Sequence, residues 1–195
     1  MRSLFLLCLS LLLGACQSIP GFGRPPELEK SELISAPAAK ITRLQFVYYD
    51  AKLSEVETKA TRPFGPPVLA NTGFYEFGPL LAQDAAASFA AAGVAVVSQT
   101  TLQDGEPLPS RQAHPLAVVM PVRAVQNAAG NIHVFQVRLF LPGSTHASWM
   151  ALIHTRTWIG GDAVFRRLEH TMFDGSYARA FNAVILQALK KDGLI

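Results

Sequence analysis

Polar and apolar positions along this chain mark out most of its elements. Leu44, Phe46 and Tyr48 alternate with Arg43, Gln45 and Val47 within 40–49, the period-two pattern of a strand. Leu81, Ala85, Ser88, Phe89 and Ala92 recur at helical spacing. Pro79 suits the first position of that helix and Gly93 its stop. Val94 to Ser98 reads as a short buried strand, and 99–114 as a polar, turn-rich loop. Pro115 to Val125 is an apolar strand in which Pro121 marks an edge or a bulge. Segments 132–141 and 149–158 read as the two long strands of a hairpin. Asp174 suits an N-cap. Beyond it Tyr177, Phe181, Val184, Ile185, Ala188 and Leu189 line one face of a last helix, with Lys190 and Lys191 in its final turn and Gly193 closing it.

The order is β-α-β-β-β-β-α. Two helices cannot cover both faces of such a sheet, so the pattern predicts an α+β fold. We expect a two-layer sandwich, a mostly antiparallel sheet of about five strands with both helices on one face. The other face is then polar, or covered by loops or a partner. Gln136 and Arg138 give it a wet character, while Ile132, Val134 and Phe140 share their parity, and Trp149 is assigned to the same face. An amphipathic sheet face of this kind is a candidate binding surface. The irregular stretch 60–78 interleaves proline and glycine with Phe64, Phe74, Tyr75 and Phe77. These four rings and Trp149 form the candidate partner surface. The alternative, that the loop aromatics fold back over the core, stays open.

The N-terminal pattern differs. Arg2 precedes an apolar run, Leu4 to Leu13, broken only by Cys8 and Ser10. Ten helical residues rise about 15 Å, half a bilayer core of about 30 Å, which fits a secretory signal better than a membrane span. The run ends in Leu13-Gly14-Ala15-Cys16. This resembles the lipobox of bacterial lipoproteins. The resemblance implies cleavage after residue 15, a diacylglycerol on the Cys16 sulfur, a further acyl chain (commonly palmitate) on the new amine, and anchoring to a membrane through these chains. Gln17 stands where Asp often retains such proteins at the inner membrane, so the family rule favours the outer membrane, with the domain facing the periplasm. Residues 16–39, with Pro20, Gly21, Gly23, Pro25, Pro26 and Pro37, read as a tether, and 40–195 as one α+β domain.

Composition narrows the function. Half of the 195 residues are hydrophobic and 16% are charged, with a net charge of +3. That is enough for a core and offers no basic stripe for nucleic acid. Cys8 and Cys16 are the only cysteines, so a processed domain would hold neither free thiol nor disulfide. The histidines (His114, His133, His146, His154, His170) show no zinc-protease spacing, although His133 and His154 could approach each other across the hairpin. No nucleophile elbow, phosphate loop or dinucleotide fingerprint is present. The sequence therefore predicts no cofactor, no metal site and no catalytic residue.

In element order, lipobox and tether, the chain is similar to small accessory lipoproteins of the Gram-negative envelope. One group serves ABC-type lipid transport, of the paraquat-inducible operon type; the other is the plug lipoprotein of the lipopolysaccharide exporter. The resemblance implies a non-catalytic component that binds a lipid, a polymer or another envelope protein, and we expect first a partner protein in a transport or assembly complex. A lipid- or glycan-binding periplasmic module and an enzyme acting on an envelope polymer are the alternatives.

Overall fold

A computed structural model describes residues 24–50, 55–58, 74–110, 113–127, 130–157 and 175–195. Seven strands form one sheet: β1 (Arg24–Leu33), β2 (Arg43–Asp50), β3 (Glu55–Thr58), β4 (Ala95–Gln103), β5 (Leu116–Asn127), β6 (Gly130–Phe140) and β7 (Trp149–Thr157). Helix α1 spans Phe74–Ala91 and helix α2 spans Gly175–Lys191. The sheet order is β1-β7-β6-β5-β2-β4. β3 continues the line of β2 along β5, since Glu55 pairs with Arg123 just beyond the Tyr48–Val119 pair.

The fold is the expected α+β sandwich, with a sheet more mixed than expected. β5, β6, β7 and β1 pair antiparallel. β4 and β5 flank β2, and all three run parallel. The route from β2 through α1 to β4 is a crossover unit, which parallel neighbours require. Residues 104–110 then carry the chain back over β2 on the face away from the helices, where Leu108 packs against a small buried cluster of Val47, Leu116, Val118 and Phe140.

Both helices lie on the other face. Leu44, Phe46 and Tyr48 of β2, Phe135, Val137 and Leu139 of β6, and Trp149, Ala151 and Ile153 of β7 form one core with Leu81, Ala85 and Phe89 of α1 and Phe181, Ile185 and Leu189 of α2. Full burial of each large side chain contributes about 1.5–3 kcal/mol. The helices meet through a polar link: buried Asn182 donates from Nδ2 to Leu81 O (3.1 Å) and to Asp84 Oδ2 (3.0 Å), and Ser88 Oγ donates to the same carboxylate oxygen (2.6 Å). Both helices end as predicted. Gly93 and Gly193 adopt φ of 82° and 74°, and the amides of Val94 and Leu194 reach back to Phe89 O and Leu189 O at 2.9 Å, the bond that closes a left-handed helix stop.

Four expectations change. Residues 24–33, read as tether, form edge strand β1 along β7; Leu28 packs on the core there, which outweighs the turn signal of Pro25 and Pro26. α1 begins five residues before Pro79, because Phe77 is drawn into the core, its ring 5.6 Å from Phe181 and 5.7 Å from Phe135. β4 runs to Gln103 instead of stopping at Ser98, pairing through to Asp50. A short strand, β3, lies in a stretch given no element. Pro121 does sit at a register shift in β5. Asp174 lies outside the described residues.

Candidate functional site

The face of the sheet away from the helices is built by parity. In β6, Phe135, Val137 and Leu139 face the helices, so Gln136, Arg138 and Phe140 face away. Pairing carries this to the neighbours: Met120 lies opposite Gln136, Met150 opposite Arg138, Leu152 opposite Gln136 and His154 opposite Val134. Near β2 residues 104–110 cover this face, held by Gln45 Nε2 donating to Ser110 O (2.9 Å) and Gly105 N donating to Tyr49 Oη (2.8 Å). Over β6, β7 and β1 no helix among the described residues lies on it.

What remains is a half-buried strip of mixed chemistry. Met120, Gln136, Arg138, Met150, Leu152 and His154 are all of intermediate exposure. Arg138 Nε donates to Gln136 Oε1 (2.7 Å), which orients the amide so that its Nε2 lies 3.9 Å from Met150 Sδ. The terminal nitrogens of Arg138 have no partner among the described residues. At the β1 edge His154 Nε2 and Glu29 Oε2 are 2.5 Å apart, an ion pair when the imidazole is protonated. Methionines adapt to irregular partners, and a guanidinium with free donors recognises carbonyl or anionic groups. Such a strip can bind.

The candidate residues from sequence fall apart under the geometry. Phe77 and Trp149 are both fully buried, so neither ring reaches a partner. Trp149 pairs with Leu139 rather than with an even-numbered residue of β6. This puts it on the helix side, where its Nε1 donates to Asp192 Oδ2 at 2.7 Å. Phe74 and Tyr75 fall in the first turn of α1, their side chains outside the described residues, as are Cys16, Phe64 and Trp158. His133 and His154 do not converge. His133 pairs with Thr155 and His154 with Val134, so the two rings project from opposite faces. His133 is buried on the helix side, and desolvation pushes its pKa down to about 4. Gln136 and Arg138 stand where the sequence put them. Met120, Met150, Leu152 and Glu29 were missed, although period two in β7 carries Met150, Leu152 and His154 together.

Two other features bear on chemistry. An open groove of about 320 Å³ runs between 37–43, His114-Pro115 and Leu141-Pro142, with Lys40 Nζ donating to Ile195 O at 3.2 Å. At the far end of β2 the Asp50 carboxyl is held above its ordinary value by burial and then by the nearby Asp104 charge. Among the described residues no group of three or more His, Cys, Asp or Glu side chains is placed to hold a metal, and no described helix is long and apolar enough to cross a membrane.

No family model matches the chain, and no curated protein matches it. Solved structures align with it at low similarity. The PelC dodecamer from Paraburkholderia phytofirmans aligns over 77% of this chain and 96% of its own, at 13% identity and a TM-score of 0.32. Protein XCC0632 from Xanthomonas campestris aligns over 88% of this chain and 99% of its own, at 9% identity and a TM-score of 0.41. Likeness at this level assigns neither family nor activity.

Proposed function

We propose that this chain is a lipid-anchored, non-catalytic binding component of a cell-envelope complex, which engages a partner protein through the outer face of β6, β7 and β1. The observation that carries the reading is the strip of Met120, Gln136, Arg138, Met150, Leu152 and His154. It pairs apolar area with guanidinium nitrogens that have no partner among the described residues. Buried rings and helices fill the opposite face, while no helix among the described residues lies on this one over β6, β7 and β1. The lipobox ending at Cys16 supports a lipid anchor, Gln17 after it favours the outer membrane, and the Arg2 to Leu13 pattern supports export. The similarity to accessory lipoproteins of lipid transport or lipopolysaccharide export supports a transport or assembly role.

Two substitutions separate the parts of this reading. Cys16→Ala in the full chain is expected to abolish incorporation of labelled palmitate and to move the protein out of the membrane fraction. Met150→Asp with Leu152→Asp is expected to leave membrane association and the circular dichroism spectrum unchanged. It should remove the envelope function that deletion of the gene removes. Retained function in the double variant would overturn the assignment of the strip. Retained palmitate in Cys16→Ala would overturn the anchor.

A further inference from the structure

The two edges of the sheet are built differently. β1 holds Pro25 and Pro26, then Glu27, Glu29, Lys30 and Glu32, and its register shifts twice along β7. Prolines remove donors, charges oppose an incoming strand and bulges turn the edge away, the means by which sheets keep an edge from pairing. β4, at the other edge, has one register shift near its start. From Ser98 onward, SQTTLQ runs in unbroken register beside Gln45–Asp50, without a charge or a proline. Ser98, Gln99 and Thr100 are exposed, and Val97 is 36% exposed. β2 takes one side of the strand. On the other side, the main-chain groups between Ser98 and Leu102 bond to no described residue.

We propose that β4 joins two copies of this chain, paired antiparallel about a two-fold axis through Thr100. A half-turn about an axis normal to the sheet brings the same edge of two identical sheets together in plane with donors facing acceptors, whereas a half-turn about the strand direction would set like groups against each other; the pairing is therefore antiparallel and the contact isologous. Both helix layers then stay on one side, so paired residues must share parity. Centring on Thr100 makes fullest use of the regular stretch: Ser98 faces Leu102, Gln99 faces Thr101 and Thr100 faces itself. The contact sets no like charges against each other, and it pairs threonine with threonine, a favourable cross-strand contact. The charged, bulged β1 offers no comparable partner for β4. The proposal stands apart from the reading of the sheet face, since β4 lies at the far edge from β7 and β1.

The test is oxidative crosslinking of the full chain in detergent, with the molar mass followed by light scattering. Paired Cα atoms lie about 4.5–5.5 Å apart, within the range of about 4.4–6.8 Å that a disulfide spans. Thr100→Cys is therefore expected to crosslink to its own copy. Ala95→Cys sits five residues from the axis, so its copies are about 33 Å apart and are expected to stay unlinked. The unsubstituted chain sets the background from Cys8 and Cys16. Gln99→Lys with Thr101→Lys, which places lysines opposite each other, is expected to weaken self-association at least ten-fold with the circular dichroism spectrum unchanged. A monomeric unsubstituted chain at every concentration, equal crosslinking at 95 and 100, or open-ended polymers would each overturn the proposal.

Discussion

The ring of Tyr48 lies against the backbone of Gly78, where a Cβ would overlap the ring carbons Cδ1 and Cε1. Gly78→Ala is therefore expected to destabilise the fold by about 1–3 kcal/mol, read by chemical denaturation. The same ring predicts a change of opposite sign. Tyr48 Oη is buried with no hydrogen-bond partner among the described residues, and such a hydroxyl costs roughly 1–3 kcal/mol. Tyr48→Phe should leave stability unchanged or raise it. His133 supplies a pH signature. Its folded pKa, about 4, lies below the ordinary 6.5, so between these values the unfolded chain binds the proton first. Stability is then full above about pH 6.5 and falls as pH drops toward 4. His133→Leu should flatten this slope in denaturation at pH 7 and pH 5. Asp50, raised by burial and by Asp104, contributes with opposite sign, and comparison with the variant removes it. None of these residue-level facts was readable from the sequence, because each depends on what long-range pairing sets beside the residue.

At the scale of elements, legibility followed burial. α2 was readable because its apolar face repeats at helical spacing, and Phe181, Ile185 and Leu189 are indeed buried. β5, β6 and β7 were readable because both strands and turns carry signals, down to the shift at Pro121. Edge elements were not. β4 past Ser98 is polar because one side of an edge strand has no core to face, so its pattern reads as loop. β1 was hidden by its prolines, the same feature that protects an edge. This yields a direct test. If 24–33 were only a tether, removing it would leave the domain unchanged. As β1 it pairs with β7 over Leu28–Leu33 and lies beside α2. Its deletion is expected to lower the melting temperature by several degrees, with increased solvent quenching of Trp149. An unchanged melting curve would contradict the strand.

At the scale of the molecule, the described residues fill one side of the sheet with helices and leave the other to a short crossing segment and a half-buried strip. The two-layer architecture was legible because two helices cannot cover two faces. The site was legible only by half. Gln136 and Arg138 stand out in the sequence as period-two polar positions in a strand. Trp149 was placed on the wrong side because parity across a hairpin depends on its register, which the turn 141–148 sets and composition does not reveal. The loop aromatics suggested a surface, yet Phe77 is a core residue with its ring 6.1 Å from that of Tyr177. The binding account therefore rests on Met120, Gln136, Arg138, Met150, Leu152 and His154. The most direct test is site-specific photocrosslinking in the native cells, with the probe at Met150 or Leu152 on the sheet face and at Ala183 or Gln187 on the exposed side of α2. The account predicts a discrete crosslink to one envelope protein from both sheet positions and from neither helix position. Crosslinks from α2 alone, or none from the sheet face, would contradict it.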